Sequence, residues 1–192
     1  SQAEAALLDR LQIPRLQFSS PAMLNVLETA QYWIRQEDNP HFNFAEIPLN
    51  DEATFRLLGL GLTNGITPLH SITAKSLLRT HRPESIAQLM RIHANAGKRH
   101  PSGGDPNPVD SLPECILSYW CAYLKVHHPV SFMTAMLSHS FQSPTASSDQ
   151  RPTFQILLRE ARKMNIEVLG LHINFSLFSF SQEGNKIRTG LM

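Results

Sequence analysis

The chain has 192 residues, 17 Lys and Arg against 16 Asp and Glu for a formal net charge of +1, and 42 % hydrophobic against 17 % charged residues. That length and apolar content fit one domain or two small ones with a buried core and exclude a disordered chain. No apolar run approaches the roughly 18–20 residues of a membrane span. The first 30 residues lack a signal peptide's basic-then-apolar pattern, and two cysteines, Cys115 and Cys121, cannot form a disulfide framework, so a reducing cytoplasm is the expected compartment.

In chain order the pattern is mostly helical. Ser20 is placed to cap a helix with Pro21 in its first turn, and Met23, Leu24, Leu27, Ala30, Tyr32, Trp33 and Ile34 supply its apolar stripe up to Asn39-Pro40. Asn50 or Asp51 caps a short helix with Phe55, Leu57 and Leu58 inward, stopped by Gly59 and Gly61. Thr73 to Thr80 reads as a third helix. Pro83 opens a fourth, carrying Ile86, Leu89, Met90 and Ile92 to about Gly97. Residues 101–113 hold four prolines and two glycines and read as a linker. Helices follow from about Glu114 to His127 and from Pro129 through Met133, Met136 and Leu137. After a polar loop over 138–152, Thr153 to Met164 forms an amphipathic helix. The end differs in kind: Glu167-Val168-Leu169 and Phe175 to Phe180 are strand-like, and Glu183-Gly184-Asn185 supplies a turn before Lys186 to Thr189. The expected fold is mainly α, a helical body with a small C-terminal β element.

Charge is uneven along this framework. Residues 37–52 carry five acids and no Lys or Arg. Residues 72–101 carry Lys75, Arg79, Arg82, Arg91, Lys98 and Arg99 with Glu84 as the only acid, an excess of +5, besides His81, His93 and His100. Such a window neutralises phosphates even on a neutral protein, and it equally describes a solvated helix face or a dock for an acidic partner. Other candidates favour plain structure. Adjacent His127 and His128 point about 100° apart on a helix and suit its C-terminal dipole better than a shared metal ion. Cys115 and Cys121 fit no metal spacing and read as buried thiols. His70, Ser71 and Asp51 lack a nucleophile elbow, and Tyr119, Trp120 and Tyr123 read as core aromatics rather than base-stacking ones. No metal or cofactor is expected.

Several stretches, in order, are similar to the bacterial C-family DNA polymerase III alpha subunit. Phe44-Ala45-Glu46-Ile47-Pro48-Leu49-Asn50-Asp51-Glu52-Ala53-Thr54-Phe55 resembles the segment entering that family's fingers. Ser118 to Met133, with Ala122-Tyr123-Leu124-Lys125, His128-Pro129 and Phe132-Met133, resembles the family segment carrying Ala-Tyr-Leu-Lys, an aromatic or His, Pro and a Phe-Met pair, the sharpest match. Glu160 to Leu169 with Ile173-Asn174-Phe175-Ser176, and Ile187 to Leu191, resemble the strands leading to a helix-hairpin-helix module. The paralogous error-prone C-family polymerase of damage-induced mutagenesis shares these motifs. On this resemblance residues 1–100 correspond to a palm-to-fingers half. Residues 101–113 form a linker standing in for a longer family segment, and 114–192 form helices and a β element that stop before the helix-hairpin-helix.

The departures bear on chemistry. The family holds two metal ions with carboxylates, which stabilise the attacking and leaving oxygens of phosphoryl transfer. Its Lys-Phe-Asp-Phe-Leu-Gly strand resembles Arg15-Leu16-Gln17-Phe18-Ser19-Ser20, so the aspartate position falls on Gln17, or on Ser19 in a register shifted by two. Its Gln-Leu-Glu-Ser becomes Pro68-Leu69-His70-Ser71, and its Phe-Asn-Lys-Ser-His becomes Pro106-Asn107-Pro108-Val109-Asp110. Apolar helix positions persist where catalytic ones are lost. The expectation is a non-catalytic module with Lys75, Arg79, Arg82, Arg91, Lys98 and Arg99 as nucleic-acid-binding candidates, acting as an accessory subunit of a replication or repair complex. The alternatives are a protein-interaction or structural subunit without nucleic acid, and a fragment of an active polymerase. The expected partners are the DNA backbone and replisome or repair proteins, with no membrane.

Overall fold

A computed structural model of the protein describes residues 22–66, 69–96, 111–142 and 151–191. Ser20-Pro21, Gln17, Ser19, Lys98, Arg99 and the 101–110 stretch of the expected linker lie outside the described residues.

Helix α1 (Ala22–Glu37) turns Val26, Leu27, Ala30 and Ile34 inward, a spacing that puts all four on one face. It ends where Asp38 and Asn39 both donate their N–H to the Ile34 carbonyl, before Pro40. A single 3-10 turn (Phe44–Glu46) follows, its Asn43 cap accepting from the Ala45 N–H. Asp51 then caps α2 (Glu52–Gly59) by accepting from the Thr54 N–H and hydroxyl at 2.7 and 2.6 Å. Helix α3 (Ile72–His81) is capped by Ser71, and α4 (Ile86–Ala96) begins three residues after Pro83. Pro83 therefore does not open α4, contrary to expectation. Ser85 accepts from the Gln88 N–H while the Gln88 side chain accepts from the Glu84 N–H, and these reciprocal bonds start the helix instead.

Helices α5 (Leu112–His127) and α6 (Pro129–Gln142) are separated by His128 alone, and α7 (Arg151–Lys163) follows. The loop expected over 138–152 is thus shorter, because α6 runs on to Gln142 and α7 starts at Arg151. Helix α6 is the centre of the molecule. Val130, Phe132, Met133, Ala135, Met136 and Leu137 are buried, and the hydroxyls of Thr134 and Ser138 are spent on the Val130 and Thr134 carbonyls. A helix apolar on all sides needs neighbours all round, and α1, α5, α7 and the sheet supply them.

The sheet has the order β1-β3-β2. Strand β1 (Glu167–Leu169) pairs parallel with β3 (Lys186–Arg188), and β2 (Ser181–Glu183) pairs antiparallel with β3 around a Gly184-Asn185 turn, Gly184 taking φ +57°. Phe175 to Phe180 is not the strand its composition suggested. Its path is a series of turns tied by the Leu191 N–H to the Leu177 carbonyl and by the Ser176 N–H to the His172 carbonyl, and the second strand forms immediately after it. The architecture is otherwise the helical body with a small terminal β element that the sequence implied. Among the described residues no helix is long and apolar enough to cross a membrane.

Candidate nucleic-acid interface

Lys75 and Arg79 recur at i and i+4 along α3 and so share one edge, while Ala74 and Leu78 fill the buried face and Arg82 follows the helix as its closing residue. The edge is braced by the loop 60–66. The Lys75 ammonium donates to Asn64 Oδ1 at 2.6 Å, and Arg79 Nε donates to the Leu60 carbonyl at 3.2 Å. Gly61 sits beneath Arg79 at φ +66°, a left-handed backbone that favours glycine, and a Cβ there would displace the Arg79 side chain, lying 2.9 Å from its Nε. Arg82 closes α3 in the left-handed region at φ 41°, its N–H donating to the Leu78 carbonyl. It lines a cleft of about 560 Å³ with Arg56, Glu52, Glu84, Phe55 and Leu60. Arg91 is exposed on a separate helix, α4. Four of the six expected cations are therefore described: Lys75 and Arg79 stand together on α3, Arg82 closes that helix, and Arg91 stands apart.

The same loop is anchored from below by a pair the sequence reading missed. Lys125 on α5 has 3 % of its surface exposed, and all three of its ammonium protons are used: Glu160 Oε1 at 2.7 Å, the Leu62 carbonyl at 2.9 Å and the Asn64 carbonyl at 3.1 Å. The other Glu160 oxygen accepts from Asn64 Nδ2 at 2.9 Å. Burial pulls the Lys125 pKa down, opposed by Glu160 and reinforced by the charges of Lys75 and Lys163. Burial alone would raise the Glu160 carboxyl, but the hydrogen bonds and charge of its partners hold it below its usual range, so it stays ionised. The available signal was that Lys125 is the one Lys, Arg, Asp or Glu between Glu114 and Asp149. The exposed cations Arg159, Arg162 and Lys163 on α7 were also overlooked as a second basic stretch.

The rival groupings resolve into structure. Ser71 is a helix cap with His70 exposed, and Asp51 is engaged by Thr54 and by His127 Nε2 at 3.1 Å, so the three assemble no triad. His127 and His128 face different carboxylates, Asp51 and Asp38. Cys115 and Cys121 are buried free thiols, burial pushing Cys115 up to about 12 and Cys121 higher still. Tyr119 is fully buried, donating to the Pro48 carbonyl and accepting the Asp51 N–H. Trp120 and Tyr123 are half-buried against the core. Among the described residues no group of three or more His, Cys, Asp or Glu side chains is placed to hold a metal ion.

Residues 23–95 match the family described as the bacterial DNA polymerase III alpha subunit finger domain. All four described cations fall inside that stretch. Among full proteins the chain is similar to DNA polymerase III subunit alpha of Saccharopolyspora erythraea, 36 % identical over 76 residues, which is 40 % of this chain and 6 % of that protein. The Thermus aquaticus protein of the same name is 40 % identical over 76 residues, again 40 % of this chain and 6 % of the relative. The Aquifex aeolicus one is 21 % identical over 295 positions, spanning 100 % of this chain and 25 % of the relative. That last alignment is longer than the chain itself, so it includes long segments that the chain lacks. The chain thus spans a quarter or less of the length of these relatives. It resembles the finger region of the bacterial DNA polymerase III alpha subunit.

Proposed function

We propose that the protein is a non-catalytic polymerase III alpha-like module that contacts the nucleic-acid backbone as an accessory part of a replication or repair complex in the cytoplasm. The observation that carries this reading is the cationic edge of α3, Lys75 and Arg79 braced by the loop and Arg82 at the helix end, lying with Arg91 inside the finger-domain stretch. Guanidinium and ammonium groups on a rigid helix edge suit phosphates spaced along a strand and read no sequence. The loss of catalysis is supported by Gln17 or Ser19 at the position of a family aspartate and by His70 in place of a family carboxylate, since neither side chain offers the charged oxygen that a metal-bridged phosphoryl transfer needs.

The test is anisotropy of a labelled primer–template DNA across a salt series. Weak binding is expected, steeply salt-dependent, with Arg79→Ala plus Arg82→Ala, and separately Arg91→Ala plus Lys98→Ala, each reducing both the affinity and the slope of log K against log salt, the latter by about 2. No binding at low salt removes the nucleic-acid role. Primer extension by the purified chain, abolished by a chelator, overturns the loss of catalysis.

A second reading, a protein-binding subunit without nucleic acid, is favoured by exposed Leu171, Ile173, Phe175, Leu177, Phe178 and Leu191 gathered around the turns before β2. A stable complex that survives nuclease treatment distinguishes it.

A further inference from the structure

The cleft beside Arg82 lies between α2 and the α3–α4 connection, has a volume of about 560 Å³ and is lined by charges of both signs. Glu52, Arg56 and Gly59 recur at i, i+4 and i+7 and so share one face of α2. Arg82 packs on that face at Gly59, where a Cβ would meet Arg82 Cα at 3.6 Å and its Cβ and Cγ at 3.7 Å. Arg82 is therefore held one turn from Arg56 at the end of α2, and Glu52 stands a further turn back toward its start. Arg82, Pro83 and Glu84 form the second wall, and Phe55 and Leu60 add apolar surface. Among the described residues, the side chains of Glu52, Arg56, Arg82 and Glu84 make no ion pair and no hydrogen bond.

The backbone of Arg82 is also out of the ordinary. It closes α3 at φ 41°, and the cap uses only its N–H, donated to the Leu78 carbonyl, which glycine would supply with less strain. What arginine adds at this position is a guanidinium on the cleft.

We propose that the cleft binds a small zwitterion of dipeptide size, with its carboxylate on Arg56 and Arg82, its ammonium on Glu52 and Glu84, and an apolar side chain against Phe55, Leu60 and Pro83. Each wall carries one cation and one carboxylate at a similar spacing. Glu52 and Arg56 are separated by a rise of roughly 6 Å along α2, and Arg82 and Glu84 flank a single residue, within roughly 7 Å of chain. A dipeptide spans roughly 7 Å between its termini, so one molecule reaches both kinds of charge. Guanidinium pairs with carboxylate through two parallel hydrogen bonds, and the cleft volume falls in the range of small-ligand sites. The two carboxylates disfavour a bare phosphate in the cleft, which sets this site apart from the Lys75–Arg79 edge.

Thermal unfolding with leucyl-leucine tests the site, beside the N-acetyl and the C-terminal amide forms of the same dipeptide at equal ionic strength. The free dipeptide is expected to raise the Tm saturably by ~2–4 °C, and neither blocked form is expected to do so. Arg56→Gln and Glu84→Gln should each lose the response. Arg82→Gly, which relieves the left-handed backbone and keeps the cap, should lose it as well, while Arg91→Gln on α4 keeps it. An equal response to the free and N-acetyl dipeptides, or a response strengthened by Glu84→Gln, would mark a plain anion site and overturn the proposal. The absence of any saturable shift with the free dipeptide overturns it too.

Discussion

His93 lies on the buried side of α4 with 4 % of its surface exposed and no hydrogen-bond partner for either ring nitrogen among the described residues. Burial pushes its pKa down to about 4 from an ordinary 6.5, so the folded protein keeps the ring neutral. Below pH 6.5 the unfolded chain takes up a proton that the folded one refuses. Stability is therefore whole above that pH and falls as the pH drops toward 4, by up to about 3 kcal/mol at 1.36 kcal/mol per unit. His93→Leu should unfold in urea with equal or greater stability at pH 7 and lose much of this acid sensitivity. An unchanged pH profile in the variant would assign the acid response to other groups. The position was readable in the sequence, since His93 falls four residues after Leu89 and next to Ile92, on the apolar stripe. It was grouped with the basic window because composition registers a histidine without registering which way it faces.

At the scale of elements, the Lys125–Glu160 pair joins α5 to α7 and pins the loop 60–66 between α3 and the core. Lys125→Met alone strands a buried carboxylate and should cost about 3–5 kcal/mol in chemical denaturation, whereas Lys125→Met with Glu160→Leu should recover most of that loss. A single-variant loss under about 1 kcal/mol would place the pair in effective contact with water. Most helices were readable because their apolar residues repeat at helical spacing and Asp51 stands where a cap is needed. The Ser71 cap, which starts α3 one residue before the expected Thr73, emerged only from its hydrogen bond to the Ala74 N–H. The partnership of Lys125 with Glu160 was not, because charges 35 residues apart meet only when three helices have packed. The strand expected over Phe175 to Phe180 failed for a related reason. Its residues have strand propensity, but pairing to β3 is taken up by β1 and β2, leaving this segment to turn. The cationic edge of α3 was visible as composition. What the fold adds is that Lys75 and Arg79 are braced by loop carbonyl and amide groups, which no local pattern encodes.

For the whole molecule, a net charge of +1 conceals a surface with distinct faces: cations on α3 and α7, and apolar side chains around the turns before β2. Ile173 is 86 % exposed and Phe178 74 %. Charging both, as Ile173→Asp with Phe178→Asp, should change unfolding stability by only about 0.5 kcal/mol at each site and lower self-association in sedimentation. A large stability loss would show that these side chains are packed in solution. The pairing of α1 with α6 reaches furthest. Thr29 and His139 meet across 110 residues, and the Val26, Leu27, Ala30 and Ile34 face of α1 has its main partner in α6. During synthesis at roughly 5–20 residues per second, that face leaves the ribosome on the order of 5–20 s before α6 is made. The nascent chain must pass this interval with α1 uncovered, which makes α1 the natural place for a chaperone to hold it.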